Sequence, residues 1–167
     1  MEKNVKNISN LEIAQRMVMI TAHELGIPFP EVYFTSQENL GNMEITGVFD
    51  FIDYRVIFNE DWVSKRPWIE VVITSVHETR HAYQHYCVKN QLLEPQETLN
   101  NWYNDINNYL LPTEENNEFS DQDYLNQSIE LDARAYTHYK IKKIFNVSTV
   151  IPSTIKNKVM ALIETYE

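Results

Sequence analysis

Two histidines four residues apart, with a glutamate directly after the first, form the segment His77-Glu78-Thr79-Arg80-His81. On a helix, positions i and i+4 share one face, about 40° round the axis and roughly 6 Å apart. Two imidazoles so placed can hold one zinc ion. Glu78 then flanks the metal, where it can take a proton from a water that the metal activates. The spacing therefore points to metal-assisted peptide hydrolysis, with His77 and His81 as ligands and Glu78 as general base.

Zinc needs a third protein ligand and keeps a fourth position for water. Glu130, in Ser128-Ile129-Glu130-Leu131-Asp132-Ala133-Arg134-Ala135-Tyr136, is the best candidate, carried by a second helix on which small Ala133 permits close approach. Asp132 is two residues further on, about 200° round that helix, so it faces elsewhere. His85 continues the 77, 81 series but lies about 80° from His77. A rigid helix cannot close three such side chains on one tetrahedral ion, so His85 is expected at the rim or in a local hydrogen bond. Cys87 is a soft donor, yet a lone cysteine among apolar neighbours reads as a small core residue. For the oxyanion, His138, Arg134, Tyr136 and Tyr83 are all candidates, and nothing in the sequence chooses among them.

These residues resemble those of the gluzincin metallopeptidases, which pair an H-E-x-x-H helix with a glutamate from a later helix. Glu130-x-x-Ala133 is similar to the second-helix signature of the small ImmA/IrrE-type peptidases and of other compact bacterial or mobile-element metallopeptidase domains. The resemblance covers the two helices and the strands before them. It implies zinc on His77, His81 and Glu130, Glu78 as base, a zincin-like fold, and a sheet edge that holds an extended peptide substrate by strand addition. Two differences stand out. Arg134 occupies the place where asparagine or aspartate often follows the Glu-x-x-Ala run, and Glu130 comes 49 residues after His81, a longer gap than in the tightest members. The glycine and third histidine of metzincins are absent, as is the upstream cysteine of a deformylase-like site.

The elements that must position these groups are legible in outline. Ile69 to Val76 is strongly apolar and runs into the motif without a break. Neither glycine nor proline interrupts residues 68–91, which permits a helix of about six turns. Ser9 can cap an earlier helix from about Leu11 to Leu25, with Leu11, Ala14, Val18 and Ala22 on one stripe and Gly26 as its stop; His23 near its end reads as structural. Val32–Phe34, Glu44–Phe51 and Tyr54–Phe58 have the β-branched and aromatic content of three strands, with a tight turn at Ile52-Asp53. Ser64 or the Pro67 region opens the long helix. The spacing 99, 102, 103, 106, 110 predicts a short amphipathic helix that ends by Pro112, followed by a solvated loop over 114–118; this insertion reads as a surface hairpin rather than a lid. Ser120-Asp121-Gln122-Asp123 has the form of a capping box for the Glu130 helix, and Lys140, Lys142 and Lys143 suit its far end. A last helix is expected from Ser153 to about Tyr166, with Ile155, Val159, Leu162 and Ile163 inward. The expectation is one α+β domain over residues 1–167, a small antiparallel or mixed sheet of about three strands packed on a helical core.

Composition narrows the class. At 167 residues with 43% hydrophobic side chains, the chain can bury a real core. A net charge of −10 repels phosphate and argues against nucleic acid as a partner. One cysteine rules out an internal disulfide. No apolar region follows the N-terminus and no stretch reaches the length of a membrane span, so a cytoplasmic protein without membrane contact is the default, acting on peptide or protein substrates. The alternative classes are a catalytically silent zinc-binding scaffold, a regulatory interaction protein, or a helical module with a chance motif. Retention of Glu78 argues against the silent scaffold, which has no need of a base.

Overall fold

The computed structural model describes residues 8–41, 45–113 and 117–166. Residues 1–7, Glu44 of the expected second strand and residues 114–116 of the expected loop lie outside these. The fold is α+β, with seven α-helices and one three-stranded sheet among the described residues.

Helix α1 (Asn10–Leu25) begins with the capping box of Ser9 and Glu12 and stops at Gly26, whose φ of 68° is the left-handed conformation that glycine adopts without cost. Strands β1 (Glu31–Thr35), β2 (Gly47–Asp50) and β3 (Arg55–Asn59) form a mixed sheet in the order β1-β3-β2. β1 runs parallel to β3, with Tyr33 opposite Ile57; β2 runs antiparallel to it, with Val48 opposite Ile57. The tight turn between β2 and β3 is held by Asp50, whose Oδ1 accepts from the backbone N–H of Ile52 at 2.9 Å and of Asp53 at 3.3 Å. β2 is an edge strand.

A short helix α2 (Glu60–Lys65), not foreseen from the sequence, follows β3 directly. Asn59 caps it by accepting from the Trp62 N–H. Pro67 then opens α3 (Trp68–Asn90), a 23-residue helix. It lies across the centre of the molecule and packs against α1, the sheet, α4 and α6. Val71, Val72, Val76, Ala82 and Cys87 are buried along it, so the apolar run and the lone cysteine are core. Helix α4 (Gln96–Asn107) sinks Leu99 and Trp102 against this core.

The Glu130 helix begins later than expected. Ser120 makes no capping box with Asp123. Instead Asp121 caps a separate helix, α5 (Gln122–Leu125), accepting from the N–H groups of Asp123 and Tyr124. The chain breaks at Gln127, whose side-chain amide bonds both the N–H and the C=O of Leu110. Helix α6 (Ser128–Phe145) then starts under a cap from another element: Asp105 of α4 accepts from the Ile129 N–H at 3.1 Å and from the Ser128 hydroxyl. The orphan donors of a helix start are thus met by a carboxylate distant in sequence, which a local capping pattern cannot reveal. Helix α7 (Lys156–Ile163) closes on α6 through Ile155, Val159 and Ile163. No helix among the described residues is long and apolar enough to cross a membrane.

Candidate metal centre

His77 and His81 project from the middle of α3 toward Glu130, which lies in the first turn of α6 and is wholly buried. Their Nε2 atoms are 3.2 Å apart. His81 Nε2 lies 3.2 Å from Glu130 Oε1, and His77 Nε2 lies 3.5 Å from Oε2. An ion with bonds of about 2.0–2.1 Å in tetrahedral geometry sets its ligand atoms about 3.3–3.4 Å apart. The two contacts to Glu130 use different carboxylate oxygens; taking one donor atom from each residue, the three atoms lie within 4.8 Å of one another, a group that could hold one cation.

Two further observations fit a cation here. Glu130 Oε2 is buried and makes no hydrogen bond, a costly state for a carboxylate oxygen that an ion would relieve. Burial alone would raise the pKa of Glu130, yet the His81 and His77 imidazoles outweigh it and hold the carboxylate well below its ordinary range. In turn burial disfavours charge on His81, but Glu130 overcomes this and raises its pKa to about 9. On His77 burial wins and the pKa falls, despite Glu130.

The orientation of His81 is set from behind. Gln84, also on α3, accepts from His81 Nδ1 at 2.8 Å. Its own amide nitrogen donates to Asp132 Oδ2 at 2.6 Å and to the Ile129 carbonyl at 2.9 Å, so the amide can only present its oxygen to the ring. Nδ1 therefore carries a proton, and Nε2 is the nitrogen turned toward His77 and Glu130. Asp132 faces away from the His77, His81 and Glu130 group, as the helical angle requires. It forms a two-pronged pair with Arg80, at 2.8 and 3.1 Å, and accepts from the Tyr166 hydroxyl. Arg80 is buried between the rings of Tyr83 and Tyr136, whose centroids lie 4.2 and 4.7 Å from its guanidinium carbon.

Glu78 faces an open cavity of about 1440 Å³ that it shares with His77, His81, the β2 edge, Tyr109, Tyr124 and Arg134. Burial pushes its pKa up to about 7, with the His81 charge opposing. The strand reaches it closely because Gly47 has no side chain: a Cβ there would sit 3.3 Å from Glu78 Cγ and 3.0 Å from Thr74 Cγ2.

Of the four oxyanion candidates, Arg134 alone lines the cavity. Tyr83 and Tyr136 enclose Arg80, and Tyr83 donates to Glu94. His138 pairs with the Thr149 hydroxyl at 2.9 Å. His85 packs among the rings of Phe49, Phe51 and Tyr54 and is not among the residues that line the cavity. Sequence reasoning missed Tyr109, whose hydroxyl donates to Glu130 Oε1 at 2.6 Å. Burial and then the Glu130 charge push its phenol far above the ordinary value, so it remains a donor at any working pH. Its one visible signal was a place at the end of the amphipathic pattern of α4. The segment after α4 contributes Tyr109, Leu111, Pro112, Glu118 and Phe119 to the lining of the cavity. The chain matches no protein-family model, no curated protein and no solved structure.

Proposed function

We propose that this chain is a zinc-dependent peptidase of zincin-like type, in keeping with the gluzincin resemblance of its two motif-bearing helices. The observation that carries this reading is the convergence of His77, His81 and Glu130, with one donor atom from each within 4.8 Å of the others, beside a glutamate that faces the same open cavity.

Zinc bound there would supply Lewis acidity, polarising a peptide carbonyl and making a nearby water more acidic. Glu78 takes the proton from that water and passes it to the leaving amine. Its pKa of about 7 suits both transfers near neutrality. Tyr109 offers a hydroxyl that stays protonated and would steady the oxyanion by turning its one proton from Glu130 Oε1 to the substrate oxygen. Gln84 and Asp132 keep the His81 ring turned toward the ion. The β2 edge, which lines the cavity, suits an extended peptide paired as an additional strand.

Elemental analysis of protein purified without added metal should give about one zinc per chain. Hydrolysis of a peptide library by wild type, lost in Glu78→Gln protein of equal zinc content, is the expected outcome. Equal signals from the two proteins would remove the catalytic role.

A further inference from the structure

The wall of the cavity opposite β2 carries a cation with spare hydrogen-bonding capacity. Arg134 lies one turn beyond Glu130 on the same face of α6. Its Nη2 donates to the backbone carbonyl of Glu118 at 2.9 Å, which fixes the guanidinium, while the Glu118 carboxylate feels its charge from beyond ion-pair distance. Its Nε is buried and has no hydrogen-bond partner. Among the described residues, no carboxylate pairs with it within 4.0 Å, unlike Arg55, Arg66 and Arg80. The rings of Phe119 and Tyr124 lie 5.5 and 5.9 Å from its guanidinium carbon and restrict the side chain. All three residues line the cavity that holds His77 and Glu78.

A guanidinium held by one tooth of its fork, with another donor left buried and unmet, is poised for an oxygen anion. We infer that Arg134 is a specificity residue that receives a carboxylate of the substrate, placed within about two residues of the bond to be cut. The distance follows from one helical turn, roughly 6 Å, against about 3.3 Å per extended residue. Two sources offer that group: a free C-terminus or an aspartate or glutamate side chain. The proposal rests on the peptidase reading for the position of the scissile bond. The carboxylate site itself rests on Arg134 alone.

Three pools of random N-acetylated hexapeptides test it. One ends in an amide and lacks Asp and Glu; one ends in an amide and contains them; one ends in a free acid and lacks them. The pools are bound to zinc-loaded Glu78→Gln protein, and the retained peptides are quantified by mass spectrometry. The same selection is made with Arg134→Gln and Arg134→Lys added, each first checked for an unchanged melting temperature and zinc content. The expected result is about 10–100-fold enrichment of one carboxylate-bearing pool over the neutral pool. That enrichment should be lost in the glutamine variant and partly kept in the lysine variant. The pool enriched identifies the source. Equal retention of all three pools, retention of none, or enrichment unchanged by Arg134→Gln would overturn the proposal. Failure of the peptidase reading looks different: wild type would cleave no peptide from the enriched pool, while the Arg134-dependent enrichment persisted.

Discussion

Gln84 Oε1 stands 2.8 Å from His81 Nδ1, while the same amide is anchored by Asp132 and the Ile129 carbonyl. His81 is therefore oriented through a residue three positions along its own helix, and that residue is held in turn by α6. Replacing Gln84 with leucine removes the acceptor and frees the ring. Zinc affinity should fall about 10–100-fold, the usual cost of losing such an outer contact. Competition against a fluorescent chelator measures it, and an unchanged affinity would deny Gln84 this role.

Asp132 and Arg80 form a buried pair between α6 and α3. Asp132→Asn leaves the guanidinium with the more distant Glu94, at 3.9 Å, as its counter-charge and should cost up to about 3–5 kcal/mol of stability at pH 7, read from urea unfolding. Burial would raise the Asp132 pKa, but Arg80 overcomes this and lowers it. A depressed folded-state pKa gives stability that is present above the unfolded value of about 4 and is lost as pH falls through the folded value. The gap between wild type and Asp132→Asn should therefore narrow below about pH 4. A gap that widened there would contradict the assignment.

Tyr109→Phe removes the hydroxyl beside Glu130 and little else. It should lower kcat/KM about 10²-fold with zinc content unchanged, as judged by steady-state kinetics on a cleaved library peptide. Full activity would exclude the phenol as the oxyanion donor.

Much of this arrangement was legible in local pattern. The H-E-x-x-H spacing placed two imidazoles on one helical face, and the angle between Glu130 and Asp132 sent the second carboxylate elsewhere. Ser9 and Gly26 bounded α1 because caps are written within four residues of a helix end. The rest depended on contacts between distant segments. Asp132 meets Arg80 across 52 positions and Tyr166 across 34. Asp105 caps α6 from α4, and Gln127 breaks the helix by holding Leu110. Tyr109 reaches Glu130 only because α4 returns the chain to the site. Such pairings follow from tertiary packing, which no spacing rule encodes.

Gly47 sits where β2 and Glu78 touch. Gly47→Val would place atoms against Thr74 and the Glu78 side chain, with Thr74 at a distance that real Cβ contacts rarely show. Overpacking of this kind costs about 1–3 kcal/mol. The expected outcome is a lower melting temperature together with a kcat loss at unchanged zinc content. A variant with wild-type kcat would show that the strand does not set the position of Glu78.

The most direct measurement is diffraction from zinc-soaked crystals at the zinc absorption edge. The expected result is one anomalous peak, about 2.0–2.2 Å from Nε2 of His77, Nε2 of His81 and an oxygen of Glu130. The contradicting result is a peak elsewhere, or none, with the Glu130 carboxylate turned away from both rings.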